Sequence, residues 1–262
     1  MKRYIISSVE GILNEPADVQ VEIASDPNMD AHTLTLLASL KDTKGLIEDV
    51  VEVLRAVASN PNTPAEALDI LIKRPTVQSL RRRVANNPNT SVSTLRMLSN
   101  DVDAFADATT RYFVAKNPNT PLDIVESFVN DPDADVRYGL LERESISDNI
   151  IWELISDPDD DIRSELVDYI AVHHVPIDII HDVTASLVND DARVVRWSVA
   201  SNPFTDTDTL HKLVDDPDYT VRWEVARTNN TSNEDLKHLL SDEKPSVVKS
   251  ATKSLKSRGI EV

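Results

Sequence analysis

The sequence predicts an all-α fold, a solenoid of about eight to nine short two-helix repeats of roughly 26 residues each. Three observations predict it. The string Val57-Ala58-Ser59-Asn60-Pro61-Asn62-Thr63-Pro64 returns as Val84-Ala85-Asn86-Asn87-Pro88-Asn89-Thr90-Ser91 and as Val114-Ala115-Lys116-Asn117-Pro118-Asn119-Thr120-Pro121. Weaker copies begin at Ile23, Val199 and Val225, and eroded ones at Leu140 and Leu166. An apolar pair three positions apart follows most copies: Leu68/Leu71, Leu95/Leu98, Val125/Phe128, Ile151/Leu154, Leu210/Leu213 and Leu236/Leu239. That spacing is one face of a helix. Finally, the chain has only 4 Gly and 5% aromatic residues, which suits short helices packed through Leu, Val, Ile and Ala. A unit this short cannot bury its own apolar face, so neighbours must stack to make the core.

Within one repeat, Asp216-Pro217-Asp218 marks a turn. The segment 221–226 is a short helix, Asn229-Asn230-Thr231 a polar break, and 232–240 a longer helix carrying Leu236, Leu239 and Leu240. Thr63, Thr90, Thr120, Thr205 and Thr231 are expected at the N-cap, where a side-chain oxygen takes an orphan N–H. Pro64 and Pro121 would follow at the first helical position. Glu66 and Glu234, three residues after the cap, would complete a capping box.

The 262 residues divide as a single helical-repeat array. Residues 1–56 read as divergent N-terminal capping repeats, and 57–130 as well-preserved repeats. Residues 131–194 read as divergent acidic repeats with an insertion, and 195–262 as repeats with a C-terminal cap. The register slips at 25–56, where a longer helix is expected from about Leu46 to Val57, at 99–109, and at 166–194, which includes His173 and His174.

There is no cysteine, so disulfides and thiolate-held metals are excluded and a reducing compartment is permitted. The start, Met1-Lys2-Arg3-Tyr4-Ile5-Ile6, is too short for a signal peptide and Glu10 interrupts it. No stretch approaches the ~18 apolar residues of a membrane span. The expectation is a soluble, cytoplasmic protein. The net charge is -18, and residues 131–220 hold 22 of the 45 acids but 6 of the 27 bases. Residues 61–130 hold 7 acids and 8 bases. The acidic field repels phosphate backbones, which makes nucleic acid an unfavoured partner without excluding a local basic stripe.

Stacked repeats align equivalent residues into columns. Arg81, Arg111, Arg137, Arg163, Arg196 and Arg222 sit within the apolar arc of their helices. They should point into the stack and pair with loop acids such as Asp135 and Asp161 or their equivalents in the next unit; an anion-binding track is the alternative. The next column, Arg82, Tyr112, Tyr138, Ser164, Trp197 and Trp223, lies at the arc's edge, where aromatics either seal the stack or form a contact surface. With Arg83, Phe113 and Lys116 they make a candidate ligand face, acidic at Glu142, Glu165 and Asp168. The candidate partner-binding residues are Arg82, Arg83, Tyr112, Tyr138, Trp197 and Trp223. The column Asn60, Asn87, Asn117, Asn202 and Asn229 is expected to hydrogen-bond backbone in the turns. His173, His174, Asp178, His181 and Asp182 have metal-ligand chemistry, but exposed histidines of an inserted loop are the expected reading. No Gly-rich phosphate loop, Gly-x-Ser-x-Gly, His-Glu-x-x-His or nucleophilic Cys occurs. No catalytic residue, cofactor or metal is therefore expected.

The motif Val-Ala-x-Asn-Pro-x-Thr-Pro, followed by Leu-x-x-Leu and Asp-Pro-Asp-x-x-Val-Arg, resembles the leucine-rich repeat variant family. Through Asp135-Val136-Arg137 and Asp161-Ile162-Arg163 the chain also resembles the broader HEAT-like group. The first likeness covers 57–130 and 195–240 well and 131–194 in outline. It implies a right-handed superhelix of paired short helices, one of which can be 3-10, and an interaction scaffold rather than an enzyme. The iron–sulfur segment of some variant-repeat proteins is bound by cysteines and cannot be carried over. The leading expectation is a non-catalytic scaffold that binds another protein, one with a basic surface, through a charge-zoned face. Two alternatives stand beside it: a nucleic-acid-acting HEAT-like protein similar to DNA glycosylases, and an acidic nucleic-acid mimic that blocks a basic partner.

Overall fold

A computed structural model of the chain describes residues 9–40, 47–74, 78–100 and 108–262. Among them there are helices and turns but no strand. The chain divides into two compact units, Met1–Arg143 and Glu144–Val262. The first holds α1 (Ala17–Ser25), α2 (Ala31–Ala38), α3 (Ile47–Ser59), α4 (Ala65–Ile72), α5 (Gln78–Asn86), α6 (Val92–Ser99), α7 (Ala108–Lys116), α8 (Leu122–Ser127) and α9 (Ala134–Leu141). The second holds α10 (Asp148–Leu154), α11 (Asp160–Val172), α12 (Ile177–Leu187), α13 (Arg193–Ser201), α14 (Thr207–His211), α15 (Tyr219–Val225), α16 (Asn233–His238) and α17 (Pro245–Ser257). Single 3-10 turns follow α8 and α16, at Phe128–Asn130 and Leu239–Ser241.

Each unit is a helical-repeat solenoid. In the first, α1, α3, α5, α7 and α9 pack side by side in one row, and α2 packs on α4 in the other. In the second, α11, α13, α15 and α17 form the row. The repeated Val-Ala pairs supply the row's contacts: Val57, Ala58, Val84, Ala85, Val114, Ala115, Val199, Ala200, Val225 and Ala226 are all fully buried. Every member of the six predicted apolar pairs is buried too. Alanine lets the helices approach, and Gly139 takes this further. A Cβ there would lie 2.9 Å from the Tyr112 carbonyl oxygen and 3.3 Å from the Ala115 Cβ, so α9 sits closer to α7 than any larger residue allows.

The asparagine column staples neighbouring repeats, as expected. Buried Asn87 donates its amide to the carbonyls of Ala58 and Asn60, both at 2.9 Å, while its Oδ1 accepts from the Asn89 N–H at 3.0 Å. Asn60 does the same to Ala24 and Asp26, and Asn117 to Ala85 and Asn87. Asn202 reaches the Val167 carbonyl. Each such bond contributes about 1 kcal/mol net, and losing one strands a buried carbonyl at a cost of about 1–3 kcal/mol. Asn229 is a correction: it is exposed, at the proline position of its repeat, and Thr228 fills the staple's place by donating to the Ala200 carbonyl at 2.7 Å. Arg143 and Ser254 substitute likewise, toward Ala115 and Ala226.

The expected caps are displaced by one residue. Thr63, Thr120, Thr205 and Thr231 are buried and turn their hydroxyls back, donating to the carbonyls of Val57, Val114, Val199 and Val225 at 2.5–2.7 Å. The caps are the next residues: Pro64, Ser91, Pro121, Asp206 and Ser232. The reciprocal box therefore pairs Ser232 with Asp235 rather than Glu234: the Asp235 N–H reaches the Ser232 hydroxyl, which donates to the Asp235 carboxylate at 2.8 Å. A hydroxyl six residues after a frayed helix carbonyl finds that acceptor before it finds an N–H ahead of it.

The long first repeat is absorbed in the thirteen-residue helix α3. The extra residues at 166–194 lengthen α11 and α12 to 13 and 11 residues rather than making a loop. Of the extra positions at 99–109, most lie outside the described residues.

Candidate functional site

The arginine column points into the stacks, and its partners are better defined than the sequence allowed. Arg111 forks onto Asp131 at 2.8 and 3.0 Å. Arg163 holds Asp190 at 2.7 and 2.8 Å, Arg196 holds Asp216 at 2.6 and 3.2 Å, and Arg222 holds Asp242 at 2.6 and 3.1 Å. A third donor of Arg163, Arg196 and Arg222 reaches the backbone carbonyl of the corresponding aspartate in its own repeat: Asp157, Asp190 and Asp216. Arg137 reaches the Asp131 carbonyl. The expected acids Asp135 and Asp161 are instead exposed, in the first turns of α9 and α11. The first aspartate of each turn does the pairing because its carboxylate also accepts the N–H two residues on, which holds it facing the stack; Asp216 and the Asp218 N–H are 2.8 Å apart. The guanidinium–carboxylate fork is shorter and stronger than a neutral pair. Burial alone would raise the Asp190 carboxyl, but Arg163 and the Ala192 N–H together outweigh it and hold the group below its ordinary range. Arg222 holds Asp242 low in the same way.

The neighbouring column emerges at the surface of the same row. In the first unit, Arg82 on α5 is exposed, and Arg83 on α5, Tyr112 on α7 and Tyr138 on α9 are half-buried. In the second unit, Trp197 on α13 and Trp223 on α15 are half-buried. Tyr112 donates to Glu142, whose other oxygen receives Lys116. Burial first, then Glu142, pushes the Tyr112 phenol well above its usual value, while Lys116 and Tyr112 hold Glu142 ionised against the effect of its own burial. Phe113 meets the Tyr112 ring edge-on at 5.0 Å. On Trp223 the Arg227 guanidinium sits 4.2 Å from the ring centroid, a cation–π contact.

A pocket of about 350 Å³ opens between α3, α5 and α7. Arg82, Arg83, Asn86, Phe113, Pro61 and Pro88 line it. Asn86 and the two prolines stand in the repeat strings but carry no binding role there. Their signal was there: Asn86 follows Arg82 and Arg83 by four and three residues, which puts all three on one helix face.

The second unit turns many acids outward, among them Glu153, Asp160, Asp161, Asp168, Asp182 and Asp191. The sequence reading overlooked two histidine–aspartate contacts here. His211 Nδ1 lies 2.7 Å from Asp235 and His238 Nε2 2.8 Å from Asp215, both beside a cleft of about 510 Å³. The His173 ring stacks on Tyr169 at 4.0 Å and its Nδ1 lies 2.9 Å from the Glu144 carbonyl oxygen, while His174 is exposed. Among the described residues no group of three or more His, Asp or Glu side chains has a geometry that could hold a metal ion, and no helix is long and apolar enough to cross a membrane.

No family model matches the chain. No curated protein matches it. Solved structures that are similar include an engineered protein, at 15% identity over 97% of this chain and 84% of that one, TM-score 0.44. Another is the structure of the Pds5–Scc1 complex, at 13% identity over 97% of this chain and 51% of that one, TM-score 0.43. A designed armadillo repeat protein aligns at 13% identity over 96% and 99%, TM-score 0.20. These scores are too low to transfer a fold or a function, so the repeat architecture rests on the chain's own helices, asparagine staples and arginine–aspartate pairs.

Proposed function

We propose that this chain is a non-catalytic helical-repeat scaffold that binds another protein through the surface of its α3–α9 and α11–α17 rows. The observation that carries this reading is the half-buried aromatic one residue after the inward arginine in four repeats, Tyr112, Tyr138, Trp197 and Trp223, with the exposed Arg82 at the same position and only Ser164 turned into the core. Such residues keep one side packed and offer the other, and Tyr, Trp and Arg are the side chains that anchor interfaces. Arg82, Arg83, Tyr112 and Tyr138 would make contacts from the first unit, and Trp197 and Trp223 from the second. The acids turned outward in 144–262 favour a partner with a basic surface and speed its encounter at low salt. The chain reads as a variant of the leucine-rich repeat variant and HEAT-like architectures, working as one array. The absence of cysteine suits the cytoplasm.

Affinity purification on the full chain at physiological salt tests this. The parent should retain a reproducible partner that the Trp197→Ala/Trp223→Ala variant loses and that Trp152→Ala, on α10, keeps. Equal retention by all three chains would overturn the choice of face. A gel shift with duplex DNA at ~100 mM salt that weakens steeply with added salt would replace the protein partner by nucleic acid.

A further inference from the structure

We propose that the pocket between α3, α5 and α7 is a carboxylate-binding site, which holds an acidic residue and the apolar side chain beside it from an extended segment of a partner protein. The inference rests on the scaffold reading and adds to it the opposite charge: an acidic feature on the partner, met in the first unit.

The argument begins with how the other arginines are occupied. Arg96, Arg111, Arg163, Arg196, Arg222 and Arg227 each hold a carboxylate. Arg74, Arg137, Arg143 and Arg258 hold backbone carbonyls. Arg82 and Arg83 differ. Among the described residues Arg82 has no hydrogen bond or ion pair, and Arg83 has only the Ser59 hydroxyl at 3.1 Å. The Nε of Arg83 is buried with no acceptor. A chain of net charge -18 has carboxylates to spare, yet the described structure brings none to this pair. A desolvated guanidinium donor without an acceptor is costly, and a turn of the Arg83 side chain that brings its Nε–Nη edge into the pocket would let a carboxylate satisfy it with two parallel bonds.

The rest of the lining fits the same occupant. The Phe113 ring and the Pro61 and Pro88 rings give the pocket an apolar wall beside the two cations, and Asn86 brings an amide able to pair with a backbone. A volume of about 350 Å³ is near the small end of ligand cavities. It has room for one or two side chains rather than a nucleotide cofactor. A lone inorganic anion would leave the apolar wall unused, whereas an acidic residue next to a leucine uses both walls.

The test is NMR of the arginine Nε–Hε groups in the full chain, titrated with an acetylated, amidated Glu-Asp-Leu-Glu peptide. Controls are its neutral Gln-Asn-Leu-Gln counterpart, inorganic phosphate at matched ionic strength, and a Lys-Lys-Leu-Lys peptide. The acidic peptide should shift the Arg83 Nε–Hε resonance saturably, and the neutral one should bind at least about tenfold more weakly. Read at the Arg82 Nε–Hε resonance, R83Q should abolish saturation. R82Q, at an exposed position that leaves folding intact, should weaken binding about threefold to tenfold. No saturation by ~5 mM peptide, equal binding of the neutral peptide, or an unchanged R82Q would overturn the site. Equal saturation by phosphate would make it a simple anion subsite and overturn the acidic segment. If the acidic peptide fails while the lysine peptide still perturbs the acids of 144–262, the pocket inference falls and the scaffold reading survives. If neither peptide binds, the scaffold reading falls with it.

Discussion

The two units join their repeats with different chemistry. Through α1, α3, α5 and α7 the first relies on neutral amides: Asn60, Asn87 and Asn117 each clamp two carbonyls of the preceding repeat. Along α11, α13, α15 and α17 the second relies on charged rungs: Arg163–Asp190, Arg196–Asp216 and Arg222–Asp242. Its staples are thinner: Asn202 reaches one carbonyl, and Thr228 and Ser254 stand in the asparagine position of the next two repeats. The changeover is gradual, since Arg111–Asp131 already forms a rung at the end of the first unit. The contrast matters for function. In the first unit Arg82 and Arg83, which lie beside the inward column rather than in it, can face a ligand. Where rungs do the joining, the column is consumed, and the remaining surface charge is acidic.

The largest test of the contrast is Asp216→Ala. This buried carboxylate takes both donors of Arg196 and the Asp218 N–H. Its loss leaves Arg196, whose side chain is 13% exposed, without a counter-charge. Breaking such a pair costs about 3–5 kcal/mol. Urea unfolding should reveal a loss of that order; a change below about 1 kcal/mol would mean that the rungs are ornamental and that apolar stacking alone joins the second unit.

Asn87→Ala is the matching cut in the first unit. It strands the Ala58 carbonyl and removes one of the two donors to the Asn60 carbonyl, which keeps the Thr63 N–H, for a loss of about 1–3 kcal/mol. Amide exchange should quicken across α3 and α5 and leave α13–α17 unchanged. If the faster exchange instead spread evenly over the chain, the staples would not be local joints and the comparison would fail.

The period, the leucine pairs and the inward arginines were legible because each depends only on spacing within one helix. What spacing could not fix was the choice among chemically equivalent neighbours. Thr63 and Pro64 can each occupy the cap, and only the position of the Val57 carbonyl decides between them. Asp131, Asp133 and Asp135 all follow one another at alternate positions, and the arginine's partner lies 20 or 27 residues downstream, in the next repeat. The staple's replacements, Arg143 and Thr228, share no side-chain type with asparagine, so no pattern search finds them. The candidate face was legible to the same degree: helical geometry turned Arg82 and Arg83 away from the stack. That they stand beside Phe113 in a shared pocket depends on how closely α5 and α7 approach.

Acid sharpens the contrast with a smaller effect. Asp190 and Asp242 are held below the ordinary carboxyl value of about 3.9. A depressed folded pKa gives stability that is complete above the unfolded value and is lost as pH falls through the folded one. Amide staples do not titrate. Between about pH 4 and pH 2 the second unit should therefore lose amide protection before α3–α7 do. Simultaneous loss in both units would assign the acid response to general charge repulsion instead of the rungs.

The smallest effect runs the other way along the pH axis. The hydrogen bond to Asp235, and then the charge of that carboxylate, raises His211 above its ordinary value near 6.5. A raised folded pKa gives stability that is present below the unfolded value and is lost as pH rises through the folded one. The contact ties α14 to α16, across the face opposite the rungs' own row. Because the imidazole is exposed, the cost to the whole chain is slight, and the histidine itself is the better reporter. Its ring-proton titration should show a midpoint above about 6.5 in the parent and a return toward that value in Asp235→Asn, where the amide oxygen can still accept from Ser232. The melting temperature of the parent should fall slightly between pH 6 and pH 8, a direction the aspartate rungs cannot produce because they are fully ionised throughout that interval. A midpoint at or below about 6.5 would remove the contact from solution.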